Sequence, residues 1–513
     1  MRIILTAVIL CGACLYIFAA GAETAEDADF QMTTDGALIL ERAGSNENIY
    51  SAETGEFTSF LRGGVVFLFE DVRMSAEEAV WQRNAGIIDF IRDVRVEQRG
   101  QVMTCNQLNF TRERNVLTAL GDVLYQDSAG ITFIRGNSAE YRTDIKECVL
   151  KGSPLLTRVD TTETDTLFIS GRLMTYNDSL KIATVIDSVN IIRGSLNAVS
   201  EKAYYFADDN MAILRINPVI LYEKHKIIGD SVDLFFGKES LESARVIGNT
   251  HGFYHEAADS SDDTATMNIW SDSLHLSMFE SGKIDAMKAF GNARGDYSEI
   301  SAASGNVTTT ELSSDSMHMF MFESGNVRVM KAFGNARGNY SETAAQSGSA
   351  MATNISSDSL HVFMFESGKI RAMKAFGNSH GRNAEWSPPA PPSTPRDSAI
   401  THIWSDSLRV MMTEDGKIRT MRALGNVRSK NFLLGDSARA NQITGNTMTL
   451  GFNEDGKIDM AVVRGSAKSV YFLEESDGGG ANITSGDRII VTFSRGKAQR
   501  LRVVGSVRGF YSP

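Results

Sequence analysis

The sequence predicts an all-β chain, an elongated solenoid-like stack of repeated short strands, and three features predict it. Apolar residues alternate with period 2 through most of the chain, as strands with one buried face require. Glycine occurs 44 times against 8 prolines, so Gly, Asn, Asp and Ser make the turns. Two glycine landmarks recur at a near-constant period in the second half, which marks a repeat architecture. A helical-hairpin repeat is excluded, because glycine interrupts the apolar pattern roughly every ten residues.

Size and charge narrow the class further. A chain of 513 residues with 42% hydrophobic content can bury a large interior. Lys and Arg number 51 against 63 Asp and Glu, a net charge of −12, which argues against a basic nucleic-acid binder or a polybasic membrane-surface protein.

The chain opens with residues 1–22, where Arg2 precedes an apolar run from Ile3 to Ala20 and the small-x-small pattern Ala20-Gly21-Ala22 follows. This reads as a secretory signal peptide and hence an exported protein. The alternative is an uncleaved inner-membrane anchor, since about 18 apolar residues can just span a bilayer. Cleavage would leave only Cys105 and Cys148, which either form a disulfide in an oxidising compartment or remain small buried hydrophobes. Residues 23–35 are acidic, lack apolar period and form a flexible lead-in.

Residues 36–249 carry glycine-centred steps such as Leu120-Gly121-Asp122-Val123 and Ile247-Gly248-Asn249, at periods near 30. Residues 250–513 continue as an array of 40–48-residue units. A turn glycine falls at 282, 325, 368, 416, 456 and 496, and a second glycine, mostly followed by Asn or Ser, at 248, 291, 334, 377, 425, 465 and 505. The single long period contains a Pro-rich insertion at 387–396. Each unit reads as strand, turn, strand, short strand and loop. In the third copy Leu360 to Met364 is a strand, Glu366-Ser367-Gly368-Lys369 turns, and Ile370 to Phe376 returns. The segments FGNARGDYSE and FGNARGNYSE, at 290–299 and 333–342, are nearly identical and point to duplication.

Aligning the first strand of six copies gives one face: Leu274, Leu276, Met278; Met317, Met319, Met321; Leu360, Val362, Met364; Leu408, Val410, Met412; Met448, Leu450, Phe452; Ile489, Val491, Phe493. All eighteen are apolar and seven are Met, whose flexible thioether suits loose cores and flexible apolar ligands alike. A packed sheet-on-sheet core and a lipid groove share this signature. His275, His318 and His361 occupy one slot that Arg409 fills in the fourth copy, which argues against a metal site. The Ser-Asp-Ser triplets beginning at Ser271, Ser314, Ser357 and Ser405 read as turn caps rather than catalytic carboxylates. No phosphate loop, nucleophile elbow or paired-cysteine motif occurs, so no enzyme activity and no cofactor is expected.

The recurrent unit of apolar strand, Gly-Asn/Asp/Ser-Val step and apolar strand resembles the OstA-like family, the LptA-type periplasmic proteins of lipopolysaccharide transport. Leu61-Arg62-Gly63-Gly64-Val65-Val66-Phe67, Ala119-Leu120-Gly121-Asp122-Val123-Leu124-Tyr125 and Ala423-Leu424-Gly425-Asn426-Val427-Arg428 carry the likeness. The resemblance implies a location in the periplasm and a twisted β-jellyroll, open at both ends, whose apolar interior takes acyl chains and whose end strands pair with other bridge proteins or with a second copy. The lipid-facing groove would then comprise Val123, Tyr125, Ile131 and Phe133, together with the first twelve positions of the face, Leu274 to Met412. The expected partner is lipopolysaccharide or a similar amphiphile, and not nucleic acid. The chain is longer than the usual bridge protein, and the alternative reading is a structural or adhesive exported repeat with a packed core and no ligand.

Overall fold

The computed structural model describes residues 37–512 except 160–164, 239–240, 258–263, 302–303, 346–349, 387–398, 434–439, 455, 473–479 and 495–496. The leader, the acidic lead-in and the Pro-rich insertion therefore lie outside the described residues. The strands of the described residues, 32 in number, join one antiparallel sheet. The single helical element among the described residues is a 3₁₀ turn at Arg112–Arg114. The chain is thus a twisted β-jellyroll built as a stack of paired strands.

The Gly-Asn steps mark the interior of strands rather than their ends. The strand Ile284–Ile300 runs straight through Gly291 and Asn292, both with positive φ, 76° and 48°. Its register with Thr264–Met278 shifts there, between Trp270 and Ser273. This is a β-bulge, which bends a strand and increases its twist. The short strand expected after each returning strand is therefore the second limb of one bent strand, 17 residues long in this copy. Gly291 is required at the bend, because a Cβ there would fall 2.1 Å from the Asp272 carboxylate. Asn292 donates to that carboxylate at 3.3 Å, and Asn335, Asn378 and Asn426 repeat the bond to Asp315, Asp358 and Asp406. Each triplet serine closes the same bend: the Ser271, Ser314, Ser357 and Ser405 hydroxyls donate to the carbonyls of Ser273, Ser316, Ser359 and Ser407.

Bending every strand folds the sheet into two facing walls. One wall holds the tight turns around Gly282, Gly325, Gly368 and Gly416. The other holds the distal limbs, with Tyr254, Tyr297 and Tyr340. The inner faces of the two walls form one apolar cluster running from Leu61 to Val491. Before Leu241 the sheet uses several separate short strands, such as Glu147–Lys151 and Leu173–Asn177; from Leu241–Ala257 to Ala481–Ser494 the strands are long and bent.

At both tips this cluster grades into half-exposed apolar residues, Leu38 and Leu40 at one end, Phe493 and Val503 at the other. The strand Ser45–Tyr50 is exposed throughout. Among the described residues it and Leu38–Arg42 pair on one side only, as do Lys497–Val504 and Arg508–Ser512 at the far end.

Candidate functional site: the apolar interior and its seam

The period-2 face lies inside. Fifteen of its eighteen positions are buried, and Met278, Phe452 and Phe493 are half-buried against them. The walls interdigitate across the interior: a Cβ on Gly338 would meet the Leu360 side chain at 2.6 Å, and one on Gly381 would meet Leu408 at 2.9 Å. In the preceding copy Met317 lies over Gly295, at 3.2 Å from the same kind of position. These glycines, in the repeated Arg-Gly and His-Gly pairs, let a Leu or Met of the opposite wall approach the backbone. At these positions the interior of the array is filled by its own side chains, the packed arrangement that the sequence pattern left open beside a lipid groove. Among the described residues, a cavity of about 10 Å³ lies beside Met317 and Met319 and one of about 80 Å³ between Tyr340, Met364 and Gly416.

The first-half assignments divide. Val123 and Tyr125 are 1% and 2% exposed and point inward. Ile131 precedes the strand Thr132–Arg142 and is half-buried, and Phe133 pairs with Gln126 on the outer face. Thr132 and Ile134 hold the inward positions instead, Ile134 directly opposite Tyr125. The cause is local: the Asp127 carboxylate accepts the N–H groups of Ile131 and Thr132 at 3.1 Å, which fixes the turn and sets the strand's register.

A column of buried tyrosines lies in this half, with the Tyr125 ring 5.7 Å from Tyr176 and 6.4 Å from Tyr141. Tyr141 donates to Gln98 at 2.7 Å, and Gln101 donates to Asp178 at 2.6 Å, which also pairs with Lys181 at 2.8 Å. The hydroxyls of Tyr125 and Tyr176 are buried and have no hydrogen-bond partner in the structure. Burial pushes all three phenols up, with Asp178 adding to the effect, so they stay protonated donors. Unpaired buried donors cost about 1–3 kcal/mol each.

A seam opposite the bends, where the walls meet, was not evident from sequence. Tyr222 donates to the Gly282 carbonyl, and Tyr254 to the Gly325 carbonyl at 3.1 Å. Tyr297 comes within 3.9 Å of the Cβ position of Gly368, whereas nothing comes within 4 Å of that position at Gly416. The Tyr297 and Tyr340 hydroxyls donate to Glu299 and Glu342 on their own wall, at 3.4 and 3.3 Å. One ion pair, Lys369 to Glu299 at 2.6 Å, ties the walls there. In the next two copies the tyrosine slot becomes Asn383 and Asn431, which bond within their own wall to Thr353 and Thr401 at 2.8 and 2.9 Å. The seam therefore loosens toward the C-terminal end, and the larger cavity, lined by Tyr297, Tyr340, Met364, Ile370 and Met412, lies where it loosens.

The two cysteines are buried and free, the second of the two alternatives the sequence left open. In the sheet Cys148 lies level with Tyr141, Leu117 and Phe110, three strands away from the strand that carries Cys105. Burial raises their thiols, to about 11 for Cys105 and about 12 for Cys148. Among the described residues no group of three or more His, Cys, Asp or Glu could hold a metal ion. Nor is any helix among them long and apolar enough to cross a membrane, which says nothing of strand-built spans.

Residues 64–230 match the family model described as OstA-like protein. Among solved structures, the chain resembles that of LptH, the LptA-homologous periplasmic component of the lipopolysaccharide transport device of Pseudomonas aeruginosa, at 17% identity. That match covers 26% of this chain and 75% of that one, with a TM-score of 0.14. No curated protein sequence matches. The chain therefore carries an OstA-like segment at residues 64–230, followed by its repeat array.

Proposed function

We propose that the protein is a non-enzymatic periplasmic bridge component that shields the acyl chains of lipopolysaccharide or a related amphiphile between its two walls and docks through its end strands. The observation that carries this reading is the apolar cluster from Leu61 to Val491, crossed at its seam among the described residues by hydrogen bonds such as Tyr254 to Gly325 and by the partly exposed Lys369–Glu299 pair. Each tyrosine hydrogen bond contributes about 1 kcal/mol, and a partly exposed ion pair at most about as much. Each buried CH₂ of a lipid contributes about 0.8 kcal/mol. Four or five methylenes therefore offset the opening of a seam segment, and the Met-rich lining can reshape around them. Beyond Tyr340, where Asn383 and Asn431 replace the tyrosine, this reading expects the walls to part first. The half-exposed tips and one-sided end strands suit strand addition by a partner or a second copy. The OstA-like segment supports the lipopolysaccharide assignment.

The filled interior of the array favours a second reading, in which the repeats are a spacer with a packed core. Native mass spectrometry of the mature chain mixed with purified lipopolysaccharide separates the two. The bridge reading expects a lipid-bound mass that survives deletion of neither the 64–230 segment nor the array. The spacer reading expects that removing two repeats leaves binding unchanged.

A further inference from the structure

Three adjacent rows on the outer face of the turn wall hold basic but no acidic residues, between exposed carboxylates at the bends (Asp272, Asp315, Asp358, Asp406) and at the turns (Glu280, Glu323, Glu366, Glu414). Cross-strand register places Arg245, His275, Lys288, His318, Lys331, His361, Lys374, Arg409 and Arg422 side by side in one row across nine consecutive strands. The flanking row toward the bends is Ile247, Ser273, Phe290, Ser316, Phe333, Ser359, Phe376, Ser407 and Leu424; the row toward the turns runs from Ser243 through Phe320 and Phe363 to Thr420. No Asp or Glu stands in any of the three rows, in a chain whose net charge is −12. None of the six Lys and Arg side chains forms an ion pair among the described residues. Two of them lie over aromatic rings, Lys331 over Phe320 at 5.3 Å and Lys374 over Phe363 at 4.5 Å.

Like charges directly opposite one another destabilise a sheet, and here Lys374 faces Arg409, which faces Arg422. Edge-to-face ring contacts along His275, Phe290, His318, Phe333, His361 and Phe376 support the row but leave its cationic charge uncompensated, and a bound polyanion would relieve that repulsion. The spacing indicates which polyanion. Arg245, Lys288, Lys331, Lys374 and Arg422 stand on every second strand, so permanent charges recur about every 10 Å at a strand separation of about 4.8 Å. Phosphates along one nucleic-acid strand are about 3.4 Å apart in rise, and like-facing side chains of an extended peptide about 7 Å apart. Two sugar rings of an extended glycan match the longer spacing. Phe290, Phe333 and Phe376 stand between the cations, the first two half-buried and Phe376 43% exposed, and bring apolar surface to this face.

We infer that this face binds an acidic polysaccharide lying across the strands, with one anionic group per disaccharide. The inference is independent of lipid in the interior. It is tested with the full mature chain and a hyaluronan decasaccharide, which has one carboxylate per disaccharide, by calorimetry at low and moderate salt. Polyglutamate and a single-stranded oligonucleotide of similar charge serve as competitors. Binding to hyaluronan is expected, at least tenfold weaker in K288Q/K331Q/K374Q and unchanged in K430Q/K457Q/K468Q, which removes as much charge elsewhere. F290S/F333S should weaken hyaluronan and spare any residual polyglutamate binding. Thermal unfolding of the lysine triple variant should occur at the same or a higher temperature, which certifies its fold. No binding to hyaluronan, equal binding by the triple variant, or equal or tighter binding of polyglutamate or the oligonucleotide would each overturn the assignment.

Discussion

The Lys369 ammonium lies 2.6 Å from the Glu299 carboxylate across the seam, the two residues 70 positions apart in sequence and on opposite walls. The Lys369 side chain is 41% exposed and that of Glu299 15%, so the pair is worth little as a stabiliser, on the order of 1 kcal/mol or less. Its importance lies in position, at the edge of the stretch where tyrosine no longer reaches the opposing turn. A double-mutant cycle of E299Q and K369Q is expected to show a coupling below about 1 kcal/mol in thermal unfolding, together with faster lipid uptake in each single variant. Unchanged uptake kinetics would show that this part of the seam is not an entry.

The tyrosine contacts predict a gradient. Y254F removes the 3.1 Å bond to Gly325 and should cost about 1 kcal/mol, whereas Y340F, whose hydroxyl stays on its own wall with Glu342, should cost less. Conversely, a short bismaleimide bridge between cysteines placed at Tyr340 and Gly416 should slow lipid loading. The same bridge at Tyr254 and Gly325, where the seam is already tied, should have a smaller effect. Equal slowing at both places would contradict the gradient.

Those labelling experiments require the native thiols to stay silent. Cys105 and Cys148 are buried and their thiols are pushed up to about 11 and about 12, so at pH 7 to 8 almost no thiolate is present. Folded protein is expected to react with a thiol reagent only after denaturant is added, and then at both cysteines. Rapid reaction of the native chain would place one of them at the surface.

The unpartnered hydroxyls give a second stability test. Removing an unsatisfied buried donor relieves a desolvation penalty, so Y125F and Y176F should raise the melting temperature of the lipid-free protein. If the hydroxyls engage an ester, amide or hydroxyl oxygen of a bound acyl group, the same variants should gain less stability from added lipid than the wild type does. Lowered stability of lipid-free Y125F would show that the hydroxyl is satisfied.

The histidines set an acid limit. Burial holds His318 and His361 below the ordinary imidazole value, and the neighbouring lysines Lys288, Lys331 and Lys374 act in the same direction. The unfolded chain therefore takes up protons near pH 6.5 while the folded chain still resists them. Stability present above that value is lost as pH falls toward the folded values. The melting temperature should drop between pH 7 and 5, and H318Q/H361Q should flatten the drop.

The inner face was legible in the sequence because period-2 alternation reports which side of a strand is buried, as Leu274 to Met412 show. The Gly-Asn steps were legible as landmarks but not as bends, since positive φ at Asn292 and the shift of register appear only when neighbouring strands pair. Phe133 was misplaced because Ile131-Thr132-Phe133-Ile134 offers two alternating sets, and a side-chain turn at Asp127 chooses between them. The seam and the basic row were illegible for a shared reason: Tyr254 and Gly325, like His275 and Lys288, meet only through tertiary register. The 43-residue recurrence of Tyr254, Tyr297 and Tyr340 was the available signal for the seam.

Adjacent residues on one strand give the most direct test of the account. Met319 is buried and faces inward, whereas Phe320 is half-buried and faces outward beneath Lys331. A photo-reactive amino acid placed at each position in turn, irradiated with lipopolysaccharide and read by mass spectrometry, should yield a lipid adduct from 319 and little from 320. Absence of an adduct at 319, or equal yields at the two positions, would contradict lipid carriage between the walls.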